Sequence, residues 1–181
     1  LILGAIGVPG SLVVLLVFGS SPWLVAVAVL GIGLFGMGTG PSIQYRVVGR
    51  FIKDAQPQQI KVLNTFSEVD EYKSEGVVEF SLLGQTLRLR PFTTRPKRFY
   101  FVFRDASSGQ ETYEAARFLY ADLLDDGTTV LDFNQAYNPP CAFNPYTTCP
   151  IPIRENRLSV KILAGEKDYP VHVPPAVAGK L

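Results

Sequence analysis

The chain has 181 residues, 47% of them hydrophobic, and its 17 Lys and Arg nearly balance 16 Asp and Glu. The length suits one or two domains, and a net charge of +1 gives no basic footprint, so no nucleic-acid partner is expected. The charge is unevenly placed: none occurs before Arg46, which divides the chain into an apolar part and a water-compatible part.

Ile2 to Phe18 is one apolar run, interrupted by Gly-Val-Pro-Gly at Gly7 to Gly10. Ser20-Ser21-Pro22 is a turn signal, and Trp23 to Gly40 is a second run. Each run holds roughly 17 to 20 residues, about what a helix needs to cross a bilayer core of roughly 30 Å. The expectation is a transmembrane helical hairpin with Trp23 at the interface, partnered by the membrane. Arg46, Arg50 and Lys53 would then face the cytoplasm. Gly31, Gly33 and Gly36 fit a dinucleotide-binding spacing, but no strand-turn-helix context or acidic residue accompanies them, so no cofactor is expected. Gly36 and Gly40 better suit close helix packing. The chain begins on Leu1 and has its only methionine at Met37, so it reads as cut from a longer protein.

From Tyr45 the texture changes. Strands are expected at Tyr45–Phe51, Gln59–Leu63, Gly76–Leu83, Thr86–Leu89, Arg98–Phe103, Phe118–Asp122, Thr128–Phe133 and Leu158–Leu163. Gly84-Gln85 and Ser107-Ser108-Gly109 are turns, and Asp125-Asp126-Gly127 is a hairpin signal. A helical turn is possible only near Glu111 to Arg117. The pattern argues for an antiparallel sheet or small barrel, with a loose tail from Pro170 to Leu181.

Asp132 to Pro152, DFNQAYNPPCAFNPYTTCPIP, holds both cysteines and reads as an ordered, shaping loop. Upstream, Arg104, Asp105, Glu111, Tyr113 and Arg117 stand close together. Paired arginines could clamp a carboxylate or phosphate through parallel hydrogen bonds; equally, they could form structural ion pairs with Asp105, Glu111 or Asp132. Asp132, Asn134, Tyr137, Asn138 and Asn156 suit loop tethering or a polar pocket beside Tyr113. Cys141 and Cys149 admit a disulfide, a reactive thiol, or two buried thiols packing a Pro-rich loop. A metal site is not expected, because His172 is the only histidine and lies in the tail. No residue pattern assigns an enzymatic reaction.

Two resemblances sit on these residues. FGSSPWLVAVAVLGIGLFGMGTGPSIQ, Phe18 to Gln44, resembles two late helices of a major facilitator superfamily transporter. Tyr45 to Lys167 resembles the C-terminal half of an uncharacterised bacterial family, one of the domains of unknown function. The motifs are GVVEFSLLGQTLRLRPF, FVFRDASSGQETYEAARFLYADL, DGTTVLDFNQAYNPPCAFNPYTTCPIPIRENRL and AGEK. Ser107 stands where that family usually has threonine, Glu114 where a small residue is usual, and the transporter-like stretch replaces a Trp- and Gly-rich portion.

The combined expectation is an α+β chain: a transmembrane helical hairpin over 1–44, a mainly antiparallel β-domain over 45–169, and a tail over 170–181. It would lie in the inner or plasma membrane with the β-domain in the cytoplasm, binding or acting on a small polar or anionic ligand where Arg104–Arg117 meets Asp132–Cys149. The alternatives are an accessory domain of a transporter and a chimeric fragment without function.

Overall fold

The computed structural model describes residues 3–8, 11–16 and 42–169, and the chain divides into two compact units, Leu1–Gly40 and Pro41–Leu181. In the first unit, β1 (Leu3–Val8) and β2 (Ser11–Leu16) form an antiparallel pair in register from Leu3↔Leu16 to Val8↔Ser11. This corrects the helix expected over Ile2–Phe18. The reason is local: the Pro9-Gly10 pair, which a helix does not tolerate, separates two six-residue apolar runs, a length that suits strands. The second expected helix, Trp23–Gly40, lies outside the described residues. Among those described, no helix is long and apolar enough to cross a membrane. The α+β assignment with a transmembrane hairpin therefore gives way to antiparallel β-structure, and the membrane localisation inferred from that hairpin loses its basis.

The second unit holds two sheets. In the four-stranded sheet the order is β5 (Gln85–Leu89), β4 (Val69–Leu82), β3 (Arg46–Leu63), β9 (Thr128–Asp132). In the three-stranded sheet it is β6 (Phe92–Arg95), β7 (Arg98–Phe103), β8 (Arg117–Asp122). All pairings are antiparallel. The two segments expected at Tyr45–Phe51 and Gln59–Leu63 fall within one long strand, β3, whose register against β4 shifts between Lys53 and Gln58. Pro57 sits in that irregularity, where it removes no ladder hydrogen bond. Opposite it, a Cβ on Gly76 would stand 2.2 Å from the Ile52 carbonyl oxygen, so only glycine fits.

RFYFVF decides how the core is shared. β7 alternates with a period of two, yet almost every residue is buried, so both of its faces are covered. Phe99, Phe101 and Phe103 enter the larger apolar cluster with Val78, Phe80, Leu89, Leu131 and Phe133. Tyr100 and Val102 enter a second cluster with Val62, Phe92, Phe118, Cys141 and Cys149. β7 is therefore the wall between two cores.

Leu158–Leu163, expected as a strand, belongs to no sheet. Two backbone hydrogen bonds, from the Leu158 amide to the Arg104 carbonyl at 2.8 Å and from the Ala106 amide to the Val160 carbonyl at 3.0 Å, hold its first half, and side chains secure the rest. Arg117, with 0% of its surface exposed, points into the larger core under Phe103 and pairs with the carboxylate of Asp105, which is 5% exposed. Its guanidinium also donates to the carbonyls of Ala164 at 2.6 Å and Ile162 at 3.0 Å. Asp105 accepts in turn from the Ile162 amide at 3.1 Å and from the amide and hydroxyl of Ser107 at 2.8 and 2.7 Å. Gly165 follows at φ +79°, with room for no Cβ between the Phe133 and Ala136 carbonyls. No helix forms between Glu111 and Arg117; the Glu111 and Thr112 amides both return to the Ser107 carbonyl in a turn, and Arg117 opens β8.

Removing one partner of a buried ion pair leaves the other charge without compensation, at a cost of about 3–5 kcal/mol. Arg117→Met and Asp105→Asn should each lose about that much in urea unfolding, and the double variant Asp105→Leu/Arg117→Met should recover part of it. A loss under about 1 kcal/mol in either single variant would show that the pair does not hold the segment.

Candidate functional site

The twelve residues singled out in the sequence fall into separate places. Asp105 and Arg117 are spent on each other and on the backbone. Arg104 contributes its main chain: its N–H donates to the Asn156 carbonyl at 3.1 Å, and its own carbonyl accepts from Leu158 at 2.8 Å. Asn156 is fully buried; it accepts from the Arg90 amide at 2.8 Å and donates to the Arg90 and Val102 carbonyls, both at 2.9 Å. Its carboxamide acts as a substitute strand rung between β5, β7 and the 153–157 segment. Glu111 pairs with Lys161 at 2.6 Å. The Asn138 amide donates to Glu166 at 2.5 Å and its side chain donates to the Lys167 carbonyl at 2.7 Å. Asp132 caps the turn that follows β9 through the Asn134 amide, and Asn134 exchanges hydrogen bonds with the backbone of Ser42.

The expected meeting of Arg104–Arg117 with Asp132–Cys149 is apolar packing of Tyr113 and Ala116 in the cluster of Cys141 and Cys149, with one side-chain hydrogen bond, the Tyr113 hydroxyl 3.9 Å from Cys141 Sγ. Both cysteines are free thiols and buried. The Cys141 amide donates to Cys149 Sγ at 3.3 Å. Hydrogen bonding from the Cys141 thiol holds the Cys149 pKa below the ordinary thiol range, while the same bond, with burial, pushes Cys141 up.

The remaining pair, Asp132 and Tyr137, lines a cavity of about 470 Å³. It opens where the chain departs from a hairpin. The Asp125-Asp126-Gly127 turn forms as expected, and Leu123 bridges to Thr129 beside it. The two strands then part: β8 stays with β7, and β9 crosses to β3. At its other end β8 is closed by Tyr137, which exchanges both backbone hydrogen bonds with Phe118, at 2.8 and 3.0 Å. By strand alternation the peptide groups of Tyr120 turn to the same side as those of Phe118, into the gap.

Two ion pairs flank this slot, Arg98–Asp122 at 3.0 Å and Arg46–Asp132 at 3.7 Å, with Gln135 also lining it. Tyrosines stack along it. Tyr100 lies on Tyr120 at 4.9 Å between centroids, Tyr120 lies near-parallel to Tyr137 at 6.4 Å, and the Arg98 guanidinium sits 5.1 Å from the Tyr120 centroid. Arg46, Arg98, Tyr120, Asp122 and Gln135 were not singled out in the sequence. Their signal was weak: a tyrosine and an aspartate two apart in RFLYAD, and an arginine opening the aromatic strand. Another cavity reaches about 640 Å³ and is lined by residues 47–50 and 79–81, Thr86, Asp126 and Thr128, without a tyrosine among them.

The arrangement defines an antiparallel β-domain with a buried ion pair at its core and a polar, aromatic slot between its sheets. The chain belongs to the family described as Protein of unknown function (DUF1684), whose model matches residues 39–167. The fold is similar to the solution NMR structure of an uncharacterized protein of Haloarcula marismortui. That chain is 30% identical, with a TM-score of 0.59 over 70% of this chain and 72% of that one. No curated protein matches. Neither match is to a transporter. The three readings built on a transporter-like helical hairpin, a membrane-tethered ligand binder, a transporter accessory and a chimera, lose their premise with it.

Burial holds the phenols of Tyr100 and Tyr113 well above their ordinary value and, with the neighbouring Tyr120, pushes Tyr137 up to about 12. An acid with a raised folded pKa keeps its proton after the unfolded chain has lost it. Its stabilisation is complete below the unfolded value of about 10 and fades as pH rises from there. The urea midpoint should therefore fall steeply above about pH 10, and Tyr100→Phe should flatten that fall. An identical alkaline slope in wild type and Tyr100→Phe would show that Tyr100 does not carry the effect.

Proposed function

We propose that the chain is a binding protein for an uncharged, hydrogen-bonding ring molecule of monosaccharide size, held in the slot between β8 and β9. The observation that carries this is the separation of those two strands after their turn, which leaves a cavity of ligand size between two sheets. Size argues against an added peptide strand: from Phe118 to Leu123 the open edge is about 17 Å at best, and Tyr137 already pairs one end.

Charge selects the ligand class. Two arginines and two aspartates line the slot, so no net field draws an anion into it, and each guanidinium already faces a carboxylate. What the slot offers is a set of donors and acceptors on fixed side chains, with tyrosine faces for a ring to lie against. Neither Asp122 nor Asp132 stands in the apolar surroundings that a proton-donating carboxyl needs, which favours binding over glycoside hydrolysis.

The test is an amide-resolved NMR titration with neutral monosaccharides, a nucleoside and inorganic phosphate as separate probes. Expected are shifts at Tyr120, Asp132, Gln135 and Tyr137 with a sugar or nucleoside, weakened about tenfold or more in Tyr137→Ala and Asp132→Ala, a loss of about 1.4 kcal/mol or more. Shifts at these residues with phosphate alone, or none with any probe, would overturn the reading.

A further inference from the structure

Cys141 and Cys149 lie in the second core, against which Tyr137 of the slot also packs, and their geometry is more specific than packing requires. The stretch between them is held at both ends. Pro140, Cys141 and Ala142 form a 3-10 turn in which the Phe143 amide returns to the Pro140 carbonyl at 3.0 Å. Cys149 is tied to the end of β3: its amide donates to the Thr65 hydroxyl at 3.2 Å, and the Thr65 amide donates to the Cys149 carbonyl at 3.0 Å. The neighbouring Pro150 bridges to Asn64, and the Ile151 amide donates to Leu63 at 2.7 Å. With both backbones fixed, the Cys141 amide donates to Cys149 Sγ at 3.3 Å, which sets the two thiols side by side.

The pair is also unequal. The neighbouring Cys141 thiol and the Cys141 amide, which donates to Cys149 Sγ at 3.3 Å, both favour the Cys149 thiolate. Cys141 holds its proton, beside the Tyr113 hydroxyl and within the apolar cluster that includes Tyr100 and Phe118. A nucleophilic sulfur next to a protonated thiol is the arrangement of an attacking and a resolving cysteine.

We propose that Cys141 and Cys149 are a peroxide-reactive dithiol that closes reversibly to an intramolecular disulfide. The Cys149 thiolate attacks the nearer oxygen of a hydroperoxide. A sulfur–oxygen bond forms, the oxygen–oxygen bond breaks, and the departing oxygen leaves as water or an alcohol with the proton that Cys149 released. Cys149 is then a sulfenic acid. Cys141 sulfur attacks Cys149 sulfur, the sulfur–oxygen bond breaks, and hydroxide leaves as water with the Cys141 proton. Two thiols have lost two electrons, and the hydroperoxide has gained them. A thiol reductant reverses the step by exchange. Cys141 is 9% exposed and Cys149 2%, so the oxidant must be small, hydrogen peroxide rather than a bulky disulfide.

The experiment treats the native full chain with hydrogen peroxide, quenches in acid, and maps the cysteine peptides without reduction, apart from oxidation at Met37. The expected product is a single peptide species with Cys141 linked to Cys149, both thiols vanishing at one rate and returning with dithiothreitol. In Cys141→Ser, Cys149 should instead gain one oxygen and then a second. In Cys149→Ser, Cys141 should stay a thiol over the same time. If Cys149→Ser does not fold, judged by its amide spectrum, the wild-type map decides alone. Survival of both wild-type thiols at peroxide levels that oxidise free glutathione, or their separate oxidation without a link, would overturn the proposal.

Discussion

The buried pair between Asp105 and Arg117 is the constraint on which the rest of the second unit rests. An arginine at the head of β8 is an unusual thing to place under Phe103, and taking both charges out of water carries a penalty of several kcal/mol per ion. The return is geometric. A leucine at this position could fill the volume but could not bind a carbonyl. The guanidinium reaches the carbonyls of Ile162 and Ala164 together, and Asp105 takes the Ile162 amide. One ion pair thus satisfies three peptide groups of a chain segment that has no sheet partner, so Leu158, Val160 and Ile162 can close the larger core without forming a strand.

That arrangement explains why so many polar side chains here are structural. Asn156 completes hydrogen bonds where β5 and β7 end, Asn138 receives the Glu166–Lys167 turn, and Asp132 with Asn134 fixes the entry at Ser42. Each replaces a ladder interaction that an irregular segment would otherwise leave unmade, and an unmade buried hydrogen bond costs about 1–3 kcal/mol. Residue types that suggest a binding site in a linear reading, Asn, Asp and Arg in rigid loops, are the same types that tether loops.

Much of the second unit was legible in the sequence because its strands obey simple patterns. Arg98–Phe103 matches β7 at both ends, and Phe118–Asp122 and Thr128–Phe133 are each within a residue of β8 and β9. Three things were not legible. Apolar runs of similar length serve helix and strand alike, so the Leu3–Leu16 pair was read as a helix although Pro9-Gly10 pointed the other way. Leu158–Leu163 looks like a strand because its apolar residues do alternate inward; its backbone meets only the short 104–106 stretch, too little for a strand, which is a tertiary fact. The slot was missed because it arises from topology. The turn at Asp125–Gly127 signals a hairpin, and nothing local says that its two strands will leave for different sheets. Asp132 and Tyr137 were singled out as polar loop residues, but the arginines and Tyr120 that share their cavity lie far from them in the chain.

The separation of β8 from β9 follows from burial. β8 must stay with β7, because Phe118 faces the second core while Leu119, Ala121 and Arg117 serve the first. β9 must cross to β3, because Leu131 and the following Phe133 complete the first core beneath Phe80 and Phe103. No single sheet places both strands side by side and still satisfies both cores, so the gap between them is a consequence of packing. Gaps of this kind are ordinarily filled by apolar side chains. Here Tyr120 and Tyr137 stack along the opening, and two ion pairs flank it. The gap stays lined with groups that water, or a ligand able to replace water's hydrogen bonds, can satisfy.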